Sequence, residues 1–147
     1  MTIEPVYRIM DFRFKYPDSN CEISWYGEHH LHHGERILLT GASGSGKSTL
    51  LYGLMGLIPE TVYGEVVGDI LFKGNSIIND PEWIRGKAGL ILQNPSAQML
   101  CYSVREELAY GLENLQKPVN EIIKTIDEWS EKFGVTGLLD RETRTLS

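Results

Sequence analysis

The residues best suited to chemistry lie together in Gly41-Ala42-Ser43-Gly44-Ser45-Gly46-Lys47-Ser48-Thr49, with the spacing G-x-x-x-x-G-K-[ST]. Glycine reaches backbone conformations that a Cβ forbids, so a loop rich in it can curl until its N–H groups converge. Converging N–H groups attract an anion. Lys47 adds a full positive charge where the β- and γ-phosphates of a nucleotide would lie, and Ser48 adds a hydroxyl for an associated Mg²⁺. A helix opening near Gly46 turns the positive end of its dipole to the same point. Every element of the loop favours a nucleoside triphosphate.

Such a loop works only if a strand delivers it and a helix receives it. The apolar run Ile37-Leu38-Leu39 makes Arg36 to Thr40 the expected buried strand, and Gly46 to about Leu57, stopped by Pro59, the expected helix. That context is the one a P-loop NTPase requires, and it leaves open what hydrolysis would drive. Upstream, Met10, Phe12, Phe14 and Tyr16 alternate with Asp11, Arg13 and Lys15, the pattern of a half-buried strand. Pro17-Asp18-Ser19-Asn20 forms a turn, and Cys21 to Gly27 resumes extended structure with Ile23 and Trp25 on one side. Glu65 to Lys73, carrying Val67, Ile70 and Phe72 between Gly64 and Gly74, is expected to pair with these two strands. Asp80-Pro81 starts a short helix as N-cap and first helical residue.

Ala88 to Leu92 is a compact apolar run, expected as a second core strand, that ends at Gln93-Asn94-Pro95, where proline breaks the ladder. Ser103 and Glu106 have capping-box spacing ahead of a helix from Val104 to about Gln116. A further helix runs from Val119 to Phe133, with Ile122, Ile123, Ile126, Trp129 and Phe133 on its buried side and Glu121, Asp127, Glu128 and Glu131 solvated.

A chain of 147 residues fits one domain with a sizeable core. With 20 acidic and 14 basic side chains, a net charge of −6 disfavours nucleic acid as a partner. Cys21 and Cys101 show no metal or redox spacing, which suits a reducing compartment. The start Met1-Thr2-Ile3-Glu4-Pro5 lacks the pattern of a secretory signal, and no run of apolar residues reaches spanning length. His29, His30, His32 and His33 fall in an expected inter-strand connection, with only Glu28 and Glu35 as nearby carboxylates. The cluster therefore reads as loop rather than metal site.

The order of these pieces resembles the N-terminal part of an ABC transporter ATP-binding domain and is most similar to ATPases of the energy-coupling factor group. Phe14-Lys15-Tyr16-Pro17 stands where that family carries an aromatic residue that stacks on adenine, so the resemblance makes Tyr16 the base platform. Alternation alone would make Tyr16 the last apolar residue of its strand. Gln93 matches the family's glutamine that ligates Mg²⁺ through its amide oxygen and senses the γ-phosphate; without the family it is a polar residue opening a loop. The stretches Gln93-Asn94-Pro95-Ser96-Ala97-Gln98 and Glu107-Leu108-Ala109-Tyr110-Gly111-Leu112-Glu113-Asn114 are similar to Q-N-P-x-x-Q and A-F-G-L-E-N segments of energy-coupling factor ATPases. Leu146-Ser147 coincides with the first two residues of the signature L-S-G-G-[QE].

The resemblance implies an α/β fold: a partial P-loop NTPase core at 36–58 and 81–95, an antiparallel β region at 1–40 and 60–80, and part of the helical subdomain at 96–147, together one incomplete domain. It implies ATP and Mg²⁺ as cofactors, with nucleotide held by Tyr16, Gly41, Ala42, Ser43, Gly44, Ser45, Gly46, Lys47, Ser48 and Thr49, and metal held by Ser48 and Gln93. It implies a second ATP-binding subunit, transmembrane transporter subunits and a peripheral position on the cytoplasmic face of the cell membrane. The transport cargo would be a small substrate such as a vitamin or metal ion. The family's acidic catalytic strand, dimerisation loop and switch histidine have no counterpart in these residues, so the chain is expected to be part of a longer polypeptide that binds ATP without turning it over alone, and to self-associate through exposed sheet edges. The alternatives are a small-molecule kinase, a non-transport ABC ATPase and a regulatory nucleotide-binding module.

Overall fold

A computed structural model describes residues 4–146. The chain divides into two compact units, one up to Leu90 and one from Ile91 onward.

The first unit is built on an antiparallel sheet of order β2-β1-β3-β4, with β1 at Tyr7–Lys15, β2 at Glu22–Leu31, β3 at Glu65–Phe72 and β4 at Asn75–Ser76. Helix α1, Lys47–Leu54, contributes Leu50 to a core formed by Ile9, Phe12, Phe14, Ile70 and Phe72. At Gly53 the helix comes so close to the sheet that a Cβ would stand 2.8 Å from Ile70 Cδ1 and 3.0 Å from Phe12 Cζ.

The simple alternation expected of β1 is interrupted. Asp11 takes a left-handed backbone (φ 44°), and the register of β1 shifts at this point against both neighbours. Across the sheet Gly68 (φ 82°) accommodates the bulge, since a Cβ there would lie 2.3 Å from the Asp11 carbonyl oxygen. On the other side Gly27 N–H donates to Asp11 Oδ1 at 2.8 Å. The consequence is that Ile9, rather than Met10, joins Phe12 and Phe14 inside, and that Val67, ahead of Gly68, is exposed while Ile70 and Phe72 are buried.

Two expected strands do not form. Residues 36–40 and 88–92 have no regular secondary structure, and Leu38 and Ile91 are 86% and 83% exposed. A strand exists only as part of a ladder, and a parallel one is normally covered on both faces. Among the described residues neither segment has a ladder partner, so their apolar composition alone does not make them strands. The histidines are also placed differently: β2 extends past Gly27 to Leu31, so His29 and His30 are strand residues rather than loop residues.

The second unit packs α2, Val104–Asn114, and α3, Val119–Lys132, around Ile122, Ile126 and Leu139, with Val104, Ala109 and Leu112 against them. The capping box forms as expected: Ser103 Oγ accepts from Glu106 N–H at 3.3 Å, and Glu106 Oε2 accepts from Ser103 N–H at 2.9 Å. The segment after α3 returns to the start of α2, where Arg105 N–H donates to Leu139 O, Val104 N–H to Arg141 O, and buried Thr143 Oγ1 to Cys101 O at 2.7 Å. Tyr102 donates its hydroxyl proton to Glu142.

The apolar stripe of α3 is only half used. Ile122 and Ile126 are buried, whereas Ile123, Trp129 and Phe133 are exposed. Trp129 and Phe133 stack on each other with ring centres 5.5 Å apart, and Lys132 places its ammonium 4.3 Å from the Trp129 ring. One neighbouring helix and one short 3₁₀ segment, Thr136–Leu138, cover too narrow an arc of α3 to bury the whole stripe.

Candidate nucleotide site

The loop at 41–49 has the curled form its glycines permit. Ser45 N–H donates to Ala42 O at 3.2 Å, closing a turn, and Gly44 (φ 77°) and Gly46 (φ 89°) both take left-handed backbone conformations. Residues 41–45 are exposed while Gly46 is buried. The burial has a specific cause: Gly46 lies under β2, where a Cβ would stand 2.3 Å from Ile23 Cγ2 and 3.1 Å from Trp25 Cη2. Gly46 is thus a packing glycine as well as a turning one.

Helix α1 begins directly after Gly46. No side chain caps its N-terminus, and its first turn has no acidic residue. The leading N–H groups are therefore available to an external anion, with the helix dipole behind them. Lys47 folds back over the loop, donating from Nζ to Gly41 O at 2.9 Å and to Ala42 O at 2.8 Å, which holds its charge above the same turn. Ser48 is exposed on the first turn of α1 beside it. This arrangement fits a polyphosphate: uncapped amides, a cation and a hydroxyl converge on one exposed loop.

Tyr16, distant in sequence, is brought to this loop. Its hydroxyl lies 3.0 Å from Oγ1 of Thr49, and its ring meets Phe14 edge-on with centres 4.8 Å apart at 87°. Nothing in the spacing of the two residues announces this pair; the sheet and α1 create it. Gln93 lies in the second unit, exposed, one residue ahead of Asn94, the N-cap of the 3₁₀ turn Pro95–Gln98. Gln98 closes that turn by accepting from Leu92 N–H at 2.8 Å through Oε1, a structural task that sequence similarity alone did not assign. Leu146 follows the 3₁₀ turn Thr143–Thr145, while Ser147 lies outside the described residues.

The histidines engage carboxylate and backbone. His30 Nε2 is 2.8 Å from Glu28 Oε1, and Arg8 Nε is 3.2 Å from the same oxygen. The hydrogen bond with His30, then the charges of His30 and Arg8, hold the Glu28 carboxyl below its ordinary pKa. Among the described residues no group of three or more His, Cys, Asp or Glu is arranged to hold a metal ion.

The family is decided by sequence: residues 28–147 match the ABC transporter family. The chain belongs to it. Among its relatives are two proteins named energy-coupling factor transporter ATP-binding protein EcfA1. That of Lacticaseibacillus paracasei is 34% identical over 144 residues, covering 97% of this chain and 50% of that protein. That of Halalkalibacterium halodurans is 39% identical over 120 residues, covering 80% of this chain and 41% of that protein. Among solved structures, cbiO1 from Clostridium perfringens, described as part of the ABC transporter complex cbiONQ, superposes with a TM-score of 0.78 at 25% identity, over 98% of this chain and 56% of that one. The chain spans half the length or less of these two curated relatives. The fold class expected from sequence holds in this ABC chain as a partial α/β P-loop NTPase domain, with its antiparallel β region and part of its helical region formed.

Proposed function

We propose that this chain is the nucleotide-binding part of an ATPase subunit in an energy-coupling factor type importer. The observation that carries the proposal is the convergence of uncapped α1 amides, the Lys47 ammonium and the Ser48 hydroxyl on a loop curled by Gly44 and Gly46. Membership of the ABC family supports it. In this assignment Gly41 to Thr49 enclose the phosphates, Lys47 leaves the Gly41 and Ala42 carbonyls to meet the β- and γ-phosphates, and Tyr16 stacks on the base. Ser48 offers Mg²⁺ a neutral oxygen, which leaves room for water and phosphate oxygens. When bound, Mg²⁺ would spread the negative charge of the terminal phosphates. The residues themselves contribute orientation and fixed positive potential, which are the main sources of catalysis in phosphoryl transfer.

The proposal extends to partners. A second ATP-binding subunit would complete the site, and transmembrane subunits would hold the pair at the cytoplasmic face of the membrane. No helix among the described residues is long and apolar enough to cross a membrane. The cargo would be a small molecule such as a vitamin or a metal ion, and these 147 residues alone would bind ATP without turning it over. The decisive experiment is calorimetric titration of the chain and its Lys47→Ala variant with Mg-ATP. Binding by the first and none by the second is expected; equal affinity would remove the assignment.

A further inference from the structure

We propose that Ile23, on the edge strand β2, is a positioning residue for the phosphate subsite, acting through Gly46 on the first amides of α1. Backbone N–H groups that bind an anion have no rotamers of their own, so their aim is set by what holds the backbone. At Gly46 that support is a single methyl group. A Cβ built there would lie 2.3 Å from Ile23 Cγ2, so this methyl fills the space a side chain would take. Gly46 is the N-cap of α1, and its carbonyl accepts the N–H of Leu50 at 3.0 Å. Whatever sets the height of Gly46 therefore sets where the uncapped end of the helix points.

Ile23 is itself braced. Its partner across the ladder is Phe14, and that of Trp25 is Phe12, both fully buried. The rings of Phe12 and Trp25 lie 6.0 Å apart, and Trp25 Cη2 flanks Gly46 beside Ile23, 3.1 Å from the same built Cβ. Being β-branched, Ile23 is stiff about χ1, which keeps the methyl where the strand puts it. Two helical turns beyond Gly46, on the same face of α1, Gly53 rests on Phe12 and Ile70. The helix thus has two seats on the sheet: the far one belongs to β1 and β3, and the one beside the loop belongs to β2 alone. A loop so rich in glycine loses much freedom when it closes on a ligand, and a seat that fixes its last glycine in advance removes part of that cost.

This inference rests on the loop at 41–49 holding phosphate, and its test separates the two. The chain and three variants, Lys47→Ala, Ile23→Leu and Ile23→Val, are titrated with Mg-ATP and, separately, with Mg-tripolyphosphate, which has the phosphates and no base. Each affinity is taken per folded molecule, from urea unfolding of the same sample. Leucine keeps the carbon count but has no branch at Cβ, so Ile23→Leu empties the space under Gly46. Misaiming an amide by the worth of about one hydrogen bond weakens both ligands equally, by roughly threefold to tenfold. Ile23→Val keeps Cγ2, loses only Cδ1, and restores both affinities. Packing volume alone predicts the opposite ranking, with leucine tolerated best. If Ile23→Val weakens binding as much as Ile23→Leu or more, the methyl does not position the loop and the proposal is wrong. Weakening of ATP alone would put the effect of Ile23 at the base and overturn the proposal as well. If Lys47→Ala abolishes binding and Ile23→Leu alters neither ligand, the phosphate site stands and the seat falls. If Lys47→Ala binds both ligands as tightly as the unaltered chain, the phosphate site is wrong and the seat with it.

Discussion

Gly46 offers the sharpest test of how the phosphate loop is held. Replacing it with alanine has two separable costs. The first is conformational: at φ 89° a Cβ crowds the following carbonyl, worth about 1–2 kcal/mol. The second is steric, since the new methyl would sit 2.3 Å from Ile23 Cγ2 and 3.1 Å from Trp25 Cη2. Ile23 is β-branched and stiff about χ1, so it cannot swing clear cheaply, and an overpacked site of this kind costs about 1–3 kcal/mol. Gly46→Ala should therefore destabilise the first unit by roughly 2–5 kcal/mol. Gly44 is the internal control. Its backbone is nearly the same (φ 77°), but a Cβ there meets nothing within 4 Å, so Gly44→Ala should show the conformational cost alone. Urea unfolding read by amide protection of β1 and β3 scores the first unit by itself. Adding Ile23→Ala to Gly46→Ala should recover part of the steric cost, giving a coupling energy in the double-mutant cycle. Equal losses for Gly44→Ala and Gly46→Ala, with no coupling to Ile23, would refute the view that β2 clamps the loop.

Two further outcomes follow from the surface of each unit. The Glu28 carboxyl, lowered by His30 and Arg8, should titrate below 4.5 in a carbon-detected NMR experiment. Because the folded value is depressed, the pairing stabilises the fold above the carboxyl's ordinary pKa and is lost as pH falls through the lowered one. His30→Ala should move the midpoint upward, as should high salt; an unmoved midpoint in both would contradict the assignment. In the second unit, Ser103→Ala removes the side-chain half of the capping box and should cost about 0.5–2 kcal/mol, with Ser103→Thr close to neutral. Chemical denaturation followed by the protection of α2 amides measures it, and an unchanged α2 would show the cap to be idle.

What could be read without coordinates was local. The phosphate loop, the capping box at Ser103 and Glu106, the N-cap at Asp80, and helices at 104–114 and 119–132 were each legible because neighbouring residues form them, through backbone freedom, hydrogen bonds within four residues and helical periodicity. The antiparallel sheet was legible from alternation, but its bulge was not, because Asp11 turns left-handed only in company with Gly27 and Gly68 on the two flanking strands. The same limit explains the runs at 36–40 and 88–92: hydrophobic composition marks a segment fit for burial, and only a partner strand makes it a ladder. It explains α3 too, where the stripe was correct as a pattern but the available neighbours cover only Ile122 and Ile126. At the site, sequence determined which groups could meet a triphosphate. Tertiary structure alone decided that Ile23 and Trp25 close over Gly46, and that the Thr49 hydroxyl meets that of Tyr16, since contacts between residues so far apart in the chain arise from packing a helix on a sheet.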